Sequence, residues 1–400
     1  MKYKPSTKTE LQELVKDESV YLGDIDTSLI TDMSNLFDRS NVYRRDFSGI
    51  ESWDVSNVTD MGFMFCLCMD FNEPLGSWDV SNVTNMENMF VMCFEFNQPL
   101  ESWDVSKVEY MNSMFEHCEK FNQPLNSWDV SNVITMDSMF CECRKFNQPL
   151  NSWNVSNVVD MSCMFFECRK FNQPLNSWDV SNVTDMSYMF CLCMDFNYPL
   201  DSWDVSNVTN MENMFCMCFE FNQPLESWDV SKVEYMNSMF GRCEKFNRPL
   251  SSWNVSSVLD MGGMFAGCKS FNQPLESWDV SNVRNMGAMF AECAVFNQPL
   301  ESWNVSRVED MGAMFADCPS FNQPLQSWDV SSVRDMNWMF CGCVRFDQCL
   351  EGWGWGVSRV ENITDMFERC VSLKNKPSWL EWLVEKCQDE FDDECDETLE

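Results

Sequence analysis

Nine apolar positions recur in a fixed frame of 25 residues along most of this chain. In one copy they are Leu75, Trp78, Val80, Val83, Met86, Met89, Phe90, Cys93 and Phe96. Around Trp78 and Val80 they alternate with polar Ser77, Asp79 and Ser81, a period of two that predicts a short strand. Met86, Met89, Phe90 and Cys93 fall at i, i+3, i+4 and i+7, which predicts about two helical turns, with Thr84 placed as N-cap. Where that site holds Glu109, Ile134, Val159 or Arg284, the cap is weaker. Pro99 and its equivalents stand in the turn before the strand. The tryptophan returns every 25 residues from Trp53 to Trp328, which marks twelve regular coils. One coil cannot bury its own apolar side, so coils must stack. The expected architecture is an α/β solenoid, a right-handed coil of about 14 stacked units. Each unit is expected to pair a short strand with a short helix, with a parallel sheet along one face.

The frame loosens at both ends. Residues 1–22 read as an N-terminal cap helix, in which Thr7 and Glu10 have capping-box spacing and Leu11, Leu14 and Val15 form an apolar stripe. Residues 23–50 hold a degenerate first coil, with a connection through Asn41–Ser48 long enough to bulge. Residues 51–376 are the regular array. It is interrupted at Gly352-Trp353-Gly354-Trp355-Gly356, where two inserted residues imply that the register restarts at Trp355. Residues 377–400 form a capping helix and an acidic tail, expected to fray from Asp389 onward. Residues 61–120 and 186–245 differ only at positions 62, 63, 73, 76, 91, 116 and 117 of the first segment, so a five-coil block has been copied.

Composition narrows the function classes. The 400 residues carry a formal net charge of −36, which argues against nucleic acid or an anionic membrane surface. The same charge allows a basic partner or multivalent cations. No apolar run is long enough to cross a bilayer. The opening residues have no apolar core of a secretory signal, so an intracellular compartment is expected, with the 22 cysteines as thiols.

Candidate chemistry is sparse. His117 is the only histidine, which leaves no histidine-based catalysis or His-rich metal site. Cys68, Cys93, Cys118 and their equivalents through Cys343 read as a ladder of small buried thiols. Cys191, Cys193, Cys216 and Cys218 supply four thiolates on successive coils, but residues i and i+2 of a helix diverge, which disfavours zinc. No catalytic residue, cofactor or metal is expected. Two surfaces stand out. The first is an acidic stripe on the strand face: Asp54, Asp79, Asp104, Asp129, Asp179, Asp204, Asp229, Asp279 and Asp329, interrupted by Asn154, Asn254 and Asn304. Its alternative reading is local, each carboxylate accepting hydrogen bonds from the following Ser. The second is the variable outer side of the helix half, represented by Glu109, Tyr110, Glu142, Arg144, Lys145, Arg284 and Asn285.

The segments Asn182-Val-Thr-Asp-Met-Ser-Tyr-Met-Phe190 and Phe171-Asn-Gln-Pro-Leu-Asn-Ser-Trp-Asp-Val180 resemble a known family. It is the BspA-like leucine-rich-repeat surface proteins, in the 25-residue variety also found in mycoplasma lipoproteins. The opening from Thr7 to Met33 resembles that family's N-terminal segment. The resemblance implies a leucine-rich-repeat-like solenoid, a cell-surface location and a role in adhesion, and it brings no catalytic residues. The combined expectation is a monomeric, non-enzymatic scaffold that binds a protein partner or mediates adhesion, with neither nucleic acid nor membrane insertion. The alternative is a cytosolic, inhibitor-like acidic solenoid that masks a basic protein.

Overall fold

The computed structural model describes residues 2–40 and 44–396, with side chains through Cys387. It divides into two compact units, Met1–Asn207 and Val208–Glu400. In each unit, successive 25-residue coils stack with their nine apolar columns inward. Leu75, Trp78, Val80, Val83, Met86, Met89, Phe90, Cys93 and Phe96 are all buried, as are their equivalents in the second unit from Leu225 onward. Fully burying one such side chain contributes about 1.5–3 kcal/mol, so the columns supply most of the drive to stack.

The expected helix of each coil is absent. Among the described residues only α1 (Lys8–Lys16) and α2 (Trp379–Asp396) are α-helical, and both lie outside the array. The Met-Phe half is instead a run of tight turns. Met89 donates its N–H to the carbonyl of Met86, Val91 to Asn88 and Cys93 to Phe90. Asn88 and Met92 take left-handed φ values of 55° and 58°. The intervening N–H groups point out of the coil. Those of Met86, Asn88, Phe90 and Met92 are donated to Tyr110, Asn112, Met114 and Glu116 of the next coil, at 2.9–3.0 Å. An α-helix would have kept those donors inside the coil. Turns and helix both bring the chain inward every three or four residues, which is why the apolar spacing could not separate them. Thr84, expected as an N-cap, donates its N–H and hydroxyl to the Thr59 carbonyl of the coil before.

The parallel pairing lies on this half, not on the tryptophan half. In the first unit it runs through Asp32, Asp60, Asn85, Tyr110, Thr135, Asp160 and Asp185. In the second it runs from Asn210 through Tyr235, Asp260, Asn285, Asp310 and Asp335 to Asn362. Trp78 and Val80 do alternate inward with outward Asp79, but side chains hold their coils together. The Trp103 indole N–H donates to the Leu75 carbonyl at 2.9 Å, and Trp128 to Leu100 at 3.0 Å. Asn82 donates to the Ser56 carbonyl and Ser102 to the Gly76 carbonyl. Asn97 takes its place on the Asn72 amide oxygen. The indoles of Trp103 and Trp128 lie nearly parallel, 6.4 Å apart. Phe65, Phe90 and Phe115 stack at 5.5 and 5.7 Å.

Both ends borrow these contacts. Thr7 caps α1, and Glu10 turns back to Ser6. The buried Arg44 guanidinium donates to the carbonyls of Val15, in the last turn of the helix, and of Asp17 and Val20 beyond it. Asn41–Tyr43, in the connection expected to bulge, lie outside the described residues. At the other end, the register does not restart at Trp355. Trp353 keeps the column, buried and bonded to the Leu325 carbonyl at 2.9 Å, while Trp355 is 84% exposed. The two extra residues loop out beyond the column, and Gly354 turns there at a φ of 37°. Trp379, the first residue of α2, then takes the next indole position, 6.0 Å from Trp353 and bonded to the Leu350 carbonyl. The acidic stretch from Asp389, expected to fray, continues as helix to Asp396. Residues 397–400 lie outside the described residues.

Replacing Trp128 by Phe keeps a ring in the stack but removes the indole bond to the Leu100 carbonyl, which keeps only the N–H of Trp103. We expect a loss of about 1 kcal/mol in urea unfolding followed by far-ultraviolet circular dichroism. Ala313 holds a left-handed φ of 53°, in the place where another coil has Gly263. Ala313→Gly should therefore stabilise the chain by about 1 kcal/mol in the same assay, the reverse of glycine's usual effect.

Candidate functional site

Polar side chains leave each coil on two faces. On the tryptophan face, Asp54, Asp79, Asp104, Asp129 and Asp179 are exposed, as are Asp204, Asp229, Asp279 and Asp329. Their carboxylates are supplied locally. The Ser81 N–H donates to Asp79 at 3.1 Å, and the Ser181 N–H and hydroxyl donate to Asp179 at 3.1 and 2.7 Å. Asn154 accepts from the Ser156 N–H in the same way. The Ser hydroxyl and then the Ser N–H hold Asp79, Asp104 and Asp279 below the usual carboxylate range. Each acid of this stripe closes a turn.

The outward side of the turn ladder has the same turn-closing bonds, at Asp60, Asp160 and Asp310 for example, and adds ion pairs between coils. Glu109 and Tyr110 are exposed, Glu142 and Arg144 half-buried, Lys145 and Arg284 exposed, and Asn285 half-buried. The ladder brings some of these together and not others. Arg144 meets Glu119 and Glu142 at 2.8 Å each, with Glu167 at 3.6 Å. His117 stands between Glu116 and Glu142, 3.3 Å from the latter. Asn285 donates to the carboxylate of Asp260 at 3.1 Å.

The sequence reading missed two features of this side. Ile134 and Val159, read there only as weak caps, are surface residues 38% and 40% exposed. They fall next to Glu109 in one column, the Ile134 N–H on the Glu109 carbonyl at 2.9 Å and the Val159 N–H on the Ile134 carbonyl at 3.0 Å. Reading every 25th residue from position 109 would have shown that pair. The second feature is Asp137, one turn further along the ladder. Burial pushes its carboxyl up to about 6, reinforced by the carboxylates of Asp160, Glu87 and Glu116. Asp310 of the second unit is raised for the same reasons, burial first and then Asp335 and Asp260. Only the folded ladder sets these acids side by side.

The thiols are packing groups. Cys93 and Cys118 each donate Sγ–H to the Phe carbonyl of the coil before, Phe65 and Phe90, at 3.2 Å. Burial pushes their thiols well above the ordinary value, far from the thiolate needed for nucleophilic or metal chemistry. Among the described residues the cysteines are free thiols, and no group of His, Cys, Asp and Glu is arranged to hold a metal ion. Among them, too, no helix is long and apolar enough to cross a membrane.

The repeats place the chain in a class. Stacked 25-residue coils closed at both ends make a repeat solenoid. The family model described as "Mycoplasma protein of unknown function, DUF285" matches residues 9–126, 93–202, 187–303 and 263–382, so the chain belongs to that family. This is the mycoplasma repeat family that the sequence resembles. No curated protein matches the chain. Among solved structures, it is similar to a leucine-rich cell surface protein from Faecalibacterium prausnitzii. The two share 13% identity over 88% of this chain and 85% of that one, with a TM-score of 0.34.

The raised carboxyl of Asp137 has a direct consequence. Its folded value lies above that of an unfolded Asp, so folding favours the protonated form. The associated stability is present below about pH 4 and is lost as pH rises through about 6. Asp137→Asn should therefore unfold with the wild type at pH 4. At pH 7.5 it should be more stable by about 1 kcal/mol, a figure discounted for solvent screening.

Proposed function

We propose that this chain is a non-enzymatic scaffold that binds a protein partner through the outward side of its turn ladder. The supporting observation is the setting of Asp137, half-buried among other carboxylates on the ladder side. The aspartates of the tryptophan face already have donors from their own turns. On the ladder side, the carboxylate of Asp137 has other carboxylates around it. That side also carries the residues that change from coil to coil, among them Glu109, Tyr110, Glu142, Arg144, Lys145, Arg284 and Asn285. A surface that varies over an unvarying frame is how repeat proteins distinguish partners. Adhesion at a cell surface is the form of this binding that the family resemblance implies.

The net charge of −36 favours a second reading, an acidic solenoid that masks a basic protein. Both readings are tested by capture of proteins from native extract on the immobilised full chain. With Glu109, Glu142 and Arg284 reversed in charge, capture should fall at least tenfold. With Asp79, Asp104 and Asp129 changed to Asn, it should be unchanged. The opposite result would move the working face to the aspartate stripe. Complexes that dissolve between about 0.1 and 0.5 M salt would favour the masking reading.

A further inference from the structure

We infer that the patch formed by Tyr110, Ile134 and Val159, with Glu109, Asp137 and Asp160 around it, docks a basic amphipathic helix. The inference rests on the protein-binding reading above and names the partner's chemistry and place.

Three exposed apolar side chains lie on three successive coils of the first unit: Tyr110 at 41%, Ile134 at 38% and Val159 at 40%. The backbone beneath them is already engaged. The Ile134 N–H is bonded to Glu109, the Val159 N–H to Ile134 and the Thr184 N–H to Val159, and Met111 donates to the Thr135 carbonyl. A partner strand would find no free ladder there, so recognition falls to side chains. Two coil steps of about 4.8 Å set the apolar row at about 10 Å. Residues i, i+4 and i+7 of a helix span about 10.5 Å, so one helical face covers the row.

The charge around the row selects the sign of the partner. Glu109 is exposed at one end, and Asp160 lies on the ladder beside Thr135. Asp137 sits half-buried near Asp160, Glu87 and Glu116. A Lys or Arg flanking the helix's apolar stripe would neutralise this concentration of carboxylates, and electrostatic complementarity would both steer and orient it. The second unit, read five coils further along, is an internal contrast. There the places of Ile134 and Val159 hold Leu259 and Arg284, so the apolar row is broken by a charge of the partner's own sign.

The test uses the full chain and fluorescence anisotropy in about 0.15 M salt, where long-range attraction to the acidic chain is screened. The probe is a labelled synthetic peptide with Leu at i, i+4 and i+7 and Lys elsewhere, set against an isomer of scrambled order and equal charge. The ordered peptide should bind at least tenfold more tightly than its isomer. Val159→Arg, which places in this column the residue already present at Arg284, should remove that difference. Asp137→Asn should weaken binding about threefold, and Asp79→Asn should leave it unchanged. Equal binding of the two peptides, or indifference to Val159→Arg, would overturn the inference. Hydrogen exchange of the complex separates the two levels. Protection at 109–110, 134–135 and 159–160 supports this patch. Protection elsewhere on the ladder side overturns the patch and leaves the scaffold reading standing. Protection confined to the aspartate face overturns both.

Discussion

The structure depends on where every second N–H of one short stretch points. From Met86 to Met92 these donors leave their own coil and bond to the next. A single coil therefore has unsatisfied backbone on its ladder side and exposed apolar columns inside, and it is stable only between neighbours. Left-handed backbone at positions such as Asn88 and Met92 makes this possible, at a cost of about 1–2 kcal/mol per residue. The cost recurs in most coils and is offset by inter-coil bonds that no helix could form. The indole N–H on the tryptophan half and the Cys Sγ–H on the turn half each reach back to a carbonyl of the coil before. Two kinds of side chain usually counted as apolar thus also carry the polar stitching of the stack.

That stitching accounts for the ends. α2 closes the second unit because its first residue, Trp379, supplies the ring and the donor that another coil would have supplied. α1 closes the first unit differently: Leu11 and Val15 cover apolar surface, and the Arg44 guanidinium satisfies carbonyls at the helix end. A buried guanidinium is tolerated there because it has four carbonyl partners, the last being Asp46.

The acidity is distributed by the same geometry. Each aspartate on the tryptophan face accepts from the Ser two residues on. On the ladder side Asp310 also accepts an N–H two residues on, from Gly312, yet burial and the neighbouring carboxylates still raise Asp137 and Asp310. Electrostatic demand is therefore unevenly spread over a chain whose net charge alone would suggest a uniform acidic surface. The function we propose follows from that unevenness.

The period and the nine buried columns could be read from the residues themselves, since apolar side chains at fixed spacing have no stable place except inward. So could the turn-closing role of the Asp-Val-Ser triplet, because its hydrogen bonds are local. Three matters were decided only by the fold. Spacing of i, i+3, i+4 and i+7 suits a helix and a run of tight turns alike, and only the path of the N–H groups between coils separates them. Trp353 and Trp355 are both fit for the column, and the carbonyl of Leu325 decides between them by position. Ile134, Val159 and Asp137 acquire their character from residues about 25 positions away, which become neighbours only when the coils are stacked. The sequence by itself determined what each coil buries; the tertiary structure decided which backbone bonds join the coils, because those bonds lie between residues far apart in the chain.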